Sequence, residues 1–147
     1  MISAIVDTNV LVRGALSRNP KSASRELVDA FFAGRFSLVL STEALDELLA
    51  VLTQEDVRAR HGKQTDEQIL DFCRALEVRA HFVEPTVSVP ASLTRDVTDT
   101  KFLALAQESS ANYLVTKDNR HLLRLKQYHR TRIVTPSLFI RELDRLS

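Results

Sequence analysis

The sequence predicts an α/β fold with a mostly parallel central sheet of about five strands and helices on both faces, in three layers. Three observations lead there. Short β-rich apolar runs alternate with amphipathic stretches from one end of the 147 residues to the other, which is the pattern of βαβ units. The first run, Ile2 to Val6, is almost continuously apolar, as a strand buried on both sides should be. Polar corners (Asp7, Ser41, and Thr116-Lys117-Asp118) fall where strands stop. In such sheets ligands bind outside the carboxyl ends of the strands. The pattern therefore places Asp7 and Asp118 on one crevice.

Each element has its own justification. After Asp7-Thr8-Asn9, Val10-Leu11-Val12 leads into a polar loop, Ser17-Arg18-Asn19-Pro20. A helix follows from about Ser22 to Phe32, with Leu27, Val28 and Phe31 as its stripe and Gly34 as its stop. Phe36 to Leu40 is the second strand. Ser41 can cap the next helix, where Leu45, Leu48, Leu49 and Leu52 keep helical spacing. Glu47 lies beside that stripe, in line with Ala44 and Val51. Glu55 to Gly62 reads as a short helix and turn. Thr65 to Gln68 matches a capping box and opens a helix to about Val78. Ala80 to Val83 is the third strand. Arg95 to Lys101 is an acidic helix entrance followed by Phe102, Leu103, Leu105 and Ala106. Asn112 to Thr116 is the fourth strand, and a short helix carries Leu122, Leu123 and Leu125. Arg132 to Val134 is the fifth strand. Thr135 and Pro136 start a last helix with Phe139, Leu143 and Leu146 on its stripe.

Composition narrows the class. Apolar residues make up 44% and charged residues 27% of the chain, as in an ordinary globular domain. The loop bracketed by Pro85 and Pro90 is the one linker-like stretch and is too short to divide domains, so residues 1–147 read as a single domain. Net charge is +1, from 20 basic and 19 acidic side chains, so any nucleic-acid surface must come from local segregation of charge. One cysteine, Cys73, excludes an internal disulfide, and its apolar neighbours mark it as a buried thiol. No Cys/His spacing suits zinc. No run is long enough to span a membrane and no secretory leader is visible, so the expected location is the cytoplasm.

The candidate chemistry is acidic. Asp7, Asp96, Asp99 and Asp118, with Glu47, are the carboxylates near element boundaries. Each has a plainer reading: Asp7 and Asp118 suit turns and caps, and Asp96 and Asp99 suit a helix N-terminus. Clustered carboxylates raise one another's pKa unless compensated. Oxygen donors with few nitrogens favour Mg²⁺ or Mn²⁺. One or two such ions could activate water for attack on a phosphodiester.

These residues carry a resemblance. Ile5-Val6-Asp7-Thr8-Asn9-Val10-Leu11, Ser41 with Glu47-Leu48, Asp99 before Phe102-Leu103-Ala104-Leu105-Ala106, and Tyr113 to Asp118 resemble the four acidic motifs of the PIN-domain family. The likeness runs from Ile5 to about Ile140 and is nearest to prokaryotic PIN proteins that act as toxins of toxin–antitoxin pairs. It implies a Rossmann-like fold and a Mg²⁺- or Mn²⁺-dependent ribonuclease site. It implies Asp7, Glu47, Asp99 and Asp118 as metal ligands and catalytic acids. Thr8, Asn9, Ser41 and Thr116 would support the site, with Asp96 in a lesser role. It further implies an RNA substrate, a cognate antitoxin protein and a homodimer. The chain departs from the pattern at Val97 and Thr98, where relatives are often more acidic, which makes Asp99 a better ligand than Asp96. Lys117 stands where Gly is frequent. Arg13, Lys117 and Arg120 are the expected RNA contacts, Arg120 lying in a basic group with His121, Arg124, Lys126, His129, Arg130 and Arg132. Two other readings stay open. One is a Mg²⁺-dependent phosphatase, although Asn9 occupies the position where a phosphoaspartyl enzyme needs its second acid. The other is a non-catalytic interaction module on the same fold.

Overall fold

The computed structural model describes residues 1–61, 64–93, 97–118 and 120–146. The elements run β1 (Ser3–Val6), α1 (Thr8–Leu16), α2 (Ala23–Phe32), β2 (Ser37–Leu40), α3 (Thr42–Leu52), α4 (Glu55–His61) and α5 (Asp66–Arg79). They continue with β3 (His81–Phe82), α6 (Val97–Ser109), β4 (Tyr113–Val115), α7 (Leu122–Leu125), β5 (Gln127–Tyr128), β6 (Thr131–Val134) and α8 (Pro136–Leu146). The strands form one sheet in the order β3-β2-β1-β4-β6-β5. All pairings are parallel except β5 with β6. The chain first steps outward from β1 through β2 to β3, then crosses to β4 on the other side. The order reverses at β1 and β4, and this is where an open α/β sheet leaves a crevice.

The predicted α/β fold with helices on both faces is present, with one strand more than the five expected. The sixth, β5, pairs Gln127 with Arg132 and Tyr128 with Thr131. Its hairpin turns through His129 at φ 52°, a left-handed conformation usually supplied by Gly or Asn. No such residue stands there to signal the turn. A second difference is α1, where the sequence suggested only a run into a loop. Thr8, Val10, Leu11, Val12, Gly14 and Leu16 are all buried. A helix buried on most sides has little polar face, so its period is hard to read. Helices α2, α3, α5 and α8 start where capping residues put them. Ser41 Oγ accepts from the Ala44 amide at 3.1 Å, and Thr65 and Gln68 form the expected capping box.

Packing holds the site-bearing end in place. Under the sheet, Phe139 of α8 meets Phe36 edge-on at 5.0 Å and Tyr113 at 5.5 Å, so α8 locks β2 and β4 together. The extended strap after β3 is pinned twice. Glu84 accepts from the Thr42 amide and hydroxyl at the start of α3. Glu108 of α6 accepts from the Thr86 amide and hydroxyl. Cys73 is buried, as expected. No helix among the described residues is long and apolar enough to cross a membrane.

Helix α1 can lie against α2 only because residue 14 is glycine. A Cβ there would stand 2.5 Å from the Ser24 carbonyl oxygen and 2.5 Å from Val28 Cγ2. Backbone cannot yield as a flexible side chain can, so Gly14→Ala should cost about 1–3 kcal/mol. The expected readout is a lower denaturant midpoint with an unchanged m-value. A midpoint equal to that of the parent would contradict this close approach.

Candidate active site

The carboxyl ends of β1 and β4 build the floor of the site. The Asp7 amide still bonds the Val115 carbonyl at 2.9 Å, so the chain leaves β1 alongside β4. Asp7 then becomes the N-cap residue of α1, and its carbonyl accepts from the Val10 and Leu11 amides. Its carboxylate makes no cap hydrogen bond. Instead, the Thr116 hydroxyl donates to Asp7 Oδ2 at 2.7 Å. Thr116 Oγ1 in turn accepts from the Asp118 amide at 3.0 Å. One buried hydroxyl thus ties the exit of β1 to the exit of β4. The Asp118 carboxylate is fixed in turn, because Oδ1 accepts from the Arg120 and His121 amides at 3.0 and 3.2 Å. The turn-forming reading of Asp118 therefore holds, while His121 is the N-cap residue of α7; Asp118 also faces the cleft.

That cleft has a volume of about 800 Å³, and Asp7, Glu47, Asp99 and Asp118 all line it. Glu47 comes from the second turn of α3, where Asp46 beside it points to solvent. Asp99 sits in the first turn of α6 and is only 5% exposed. Thr8 and Asn9 line the same space. Val12, Val51, Val57 and Phe102 give it an apolar wall. Ser41 is buried and spends its hydroxyl on capping α3; it is not part of the lining, so it acts on the site through the helix that carries Glu47. Asp96 lies outside the described residues.

Charge is arranged unevenly. Burial pushes the Asp7 carboxyl up from its ordinary value, and the charges of Asp118 and Glu47 push it the same way. The Thr116 hydroxyl and, more loosely, the Asn9 amide oppose that shift. Arg13, Lys117 and Arg120 are exposed residues of the lining. Desolvation, followed by the charge of Arg13, lowers the Lys117 ammonium. His121 also lines the cleft, but Arg124, Lys126, His129, Arg130 and Arg132 do not. Arg132 instead stacks on Tyr113 at 5.7 Å.

Two polar members of the lining, and one residue behind it, have no counterpart among the sequence-based candidates. Gln54 and Asp56 come from the α3–α4 junction. Lys101 of α6 lies just behind the lining and pairs through Nζ with Glu47 Oε2. That contact joins two helices 54 residues apart, and spacing along the chain carries no signal of it.

Among the described residues, no three His, Cys, Asp or Glu side chains form a ready-made metal cage. The donor chemistry nevertheless suits a hard divalent cation. Mg²⁺ keeps several waters and needs only one or two protein carboxylates. Glu47 Oε2 is buried without an aligned hydrogen bond, and Asp7 carries the repulsion of two neighbouring acids.

Because its folded value is raised, Asp7 favours the folded state when protonated. That stability is fully present below the ordinary value of 3.8 and is lost as pH rises through the higher folded value. Asp7→Asn keeps an acceptor for Thr116 and removes the buried charge. In chelator it should melt a few degrees above the parent at neutral pH, and the gap should close as pH falls toward 3.8. Thermal melts across pH check this; a variant melting no higher at neutral pH would contradict it.

Comparison with known proteins agrees with this arrangement. The family model for the PIN domain matches residues 3–120, a span that takes in Asp7, Glu47, Asp99 and Asp118. No curated protein matches the chain. The chain belongs to the PIN-domain family, whose members are generally nucleases that use divalent metal ions.

Proposed function

We propose that this PIN-domain protein is a Mg²⁺- or Mn²⁺-dependent endoribonuclease and the toxin half of a toxin–antitoxin pair. The observation that carries the reading is one cleft at the β1/β4 reversal, with Asp7, Glu47, Asp99 and Asp118 among the carboxylates that line it and Arg13, Lys117 and Arg120 among its exposed residues. Asp7, Glu47, Asp99 and Asp118 would hold one or two ions. A bound divalent cation would neutralise the phosphate and lower the pKa of water for attack at phosphorus.

The chain's own residues do the positioning. Thr116 holds the Asp7 carboxylate to β4. The Arg120 and His121 amides hold Asp118. Val12, Val51, Val57 and Phe102 limit access of bulk water on one wall, which strengthens every charge interaction inside. Arg13, Lys117 and Arg120 suit the RNA backbone, since exposed cations beside a phosphodiester site neutralise phosphates without reading bases. Hydrolysis in this arrangement leaves a 5′-phosphate and a 3′-hydroxyl. The toxin role adds two partners, a cognate antitoxin encoded beside this gene and a second copy of the chain in a homodimer.

RNA cleavage by the purified protein in Mg²⁺, Mn²⁺ and chelator is the direct test. Asp7→Asn is expected to fall to background while staying folded, and chelator should silence the parent. Full activity in either case defeats the reading. Hydrolysis of small phosphomonoesters without action on RNA would move the protein to the phosphatase class. Absence of divalent-ion binding would favour an interaction module.

The RNA contacts have a separate readout. Arg120→Ala should weaken RNA binding and flatten the plot of log affinity against log salt by about 0.7. An unchanged slope would remove Arg120 from the footprint.

A further inference from the structure

We propose that Lys101 is a built-in counter-ion of the carboxylate cleft, competing with a divalent cation for Glu47 and so setting the metal affinity of the site. The inference rests on the metal-dependent reading above and deepens it.

Four features of the pair point this way. Lys101 Nζ reaches from α6 to Glu47 Oε2 on α3. Their side chains are 11% and 32% exposed, so the pair is sheltered from the screening that makes most surface ion pairs weak. The ammonium also lies over the Phe102 ring at 5.1 Å, and Phe102 is itself part of the cleft lining. A cation over an aromatic face gains further attraction, so the ring holds the ammonium at its post. Finally, Glu47 Oε2 is buried yet has no aligned hydrogen bond among the described residues. The ammonium supplies charge without satisfying the directional demand of that oxygen.

A coordinating ion supplies both. Two cations cannot share one carboxylate oxygen at contact distance without strong repulsion. A divalent ion that takes Glu47 through Oε2 must therefore displace Lys101. The four-carbon stem of lysine is flexible, so the ammonium can swing away while α6 stays in place. The exchange has two consequences. The cleft keeps Glu47 neutralised whether or not a divalent ion is bound. The ion also binds less tightly than four open carboxylates would allow, since part of its binding energy goes to breaking the pair.

The test is calorimetric titration of Mn²⁺ into the 147-residue chain, without RNA, for the parent, Lys101→Met and Lys101→Arg. Thermal melts in chelator accompany each titration. Lys101→Met should bind Mn²⁺ about tenfold tighter or more, a span typical of changes to the partners of a ligand. It should also melt lower in chelator, because Glu47 loses its counter-charge. Lys101→Arg keeps the charge and should stay near the parent in both respects. If Lys101→Met does not fold, Lys101→Gln replaces it, with a neutral donor retained beside Glu47. Equal or weaker Mn²⁺ binding by the neutral variant overturns the proposal. In that case parent binding and RNA cleavage leave the ribonuclease reading intact. Failure of both parent and variant to bind Mn²⁺ overturns the proposal and the metal-dependent reading together.

Discussion

The parallel pairing of β1 between β2 and β4 is the constraint on which this structure turns. Ala4 sits opposite Leu38 on one side and Tyr113 on the other. Both neighbours run in the same direction as β1, so their ends lie on one edge. Whatever the chain places just after these strands is then gathered in space, however far apart it is in sequence. The Asp7 amide bonding Val115 shows how tightly this holds. The consequence extends to the helices. Those that follow β1, β2 and β4 begin at this edge, and α6 presents its first turn to the same cleft. Helix N-termini favour negative charge, so the edge that collects the acids also offers backbone dipoles to offset them.

The offset is incomplete, and the shortfall is informative. Asp7 is pushed up chiefly by burial, despite the Thr116 hydroxyl pointed at it. Glu47 is buried at one oxygen and is held by an ammonium with no aligned hydrogen bond. Elsewhere among the described residues such tension is rare, Ser24 Oγ on α2 being one buried polar atom without a partner. Ala4, Leu27, Leu48, Leu103, Leu114 and Phe139 are fully buried in an apolar core, and Glu84 and Glu108 are placed where they bind the strap. Local inconsistency concentrated at one edge of a fold is a mark of a functional site. The stability to tolerate it comes from the core beneath, where α8 clamps β2 and β4.

Much of this edge is legible from sequence because strand ends are legible. Asp7 and Asp118 follow from apolar runs that stop abruptly, without appeal to any relative. Glu47 does not: its place beside a leucine stripe marks a border position, and only the resemblance to a family gave it a role. Asp99 also took its role from that resemblance, the departures at Val97 and Thr98 favouring it over Asp96. Other features are silent in sequence for physical reasons. Helix α1 is buried too fully to show a period, and β5 closes through a histidine where a turn residue would be expected. The basic group of the C-terminal half looked continuous in sequence. Short elements instead turn Arg120 toward the cleft and leave Arg132 on Tyr113. Lys101 is the deepest omission, because its meaning lies wholly in a contact between α3 and α6.

A net charge of +1 hides two concentrations of like charge. Acids line the cleft and two of them repel Asp7. Among its exposed residues, Arg13 and Lys117 are close enough that one lowers the other's affinity for a proton. Each arrangement is unfavourable alone, and under the proposed function each would be relieved by a ligand of opposite sign: a divalent cation inside, a phosphate outside. Lys101 belongs to neither set. It is a cation on the acidic side, and it pairs with the acid that contributes to raising Asp7. A chain that needed only to fold would gain by neutralising every acid this way. Here Glu47 is paired with Lys101, Asp7 and Asp118 are oriented by hydroxyl and amide groups, and cations stand exposed in the same cleft. This division keeps the fold supported while leaving charge to be balanced by ligands.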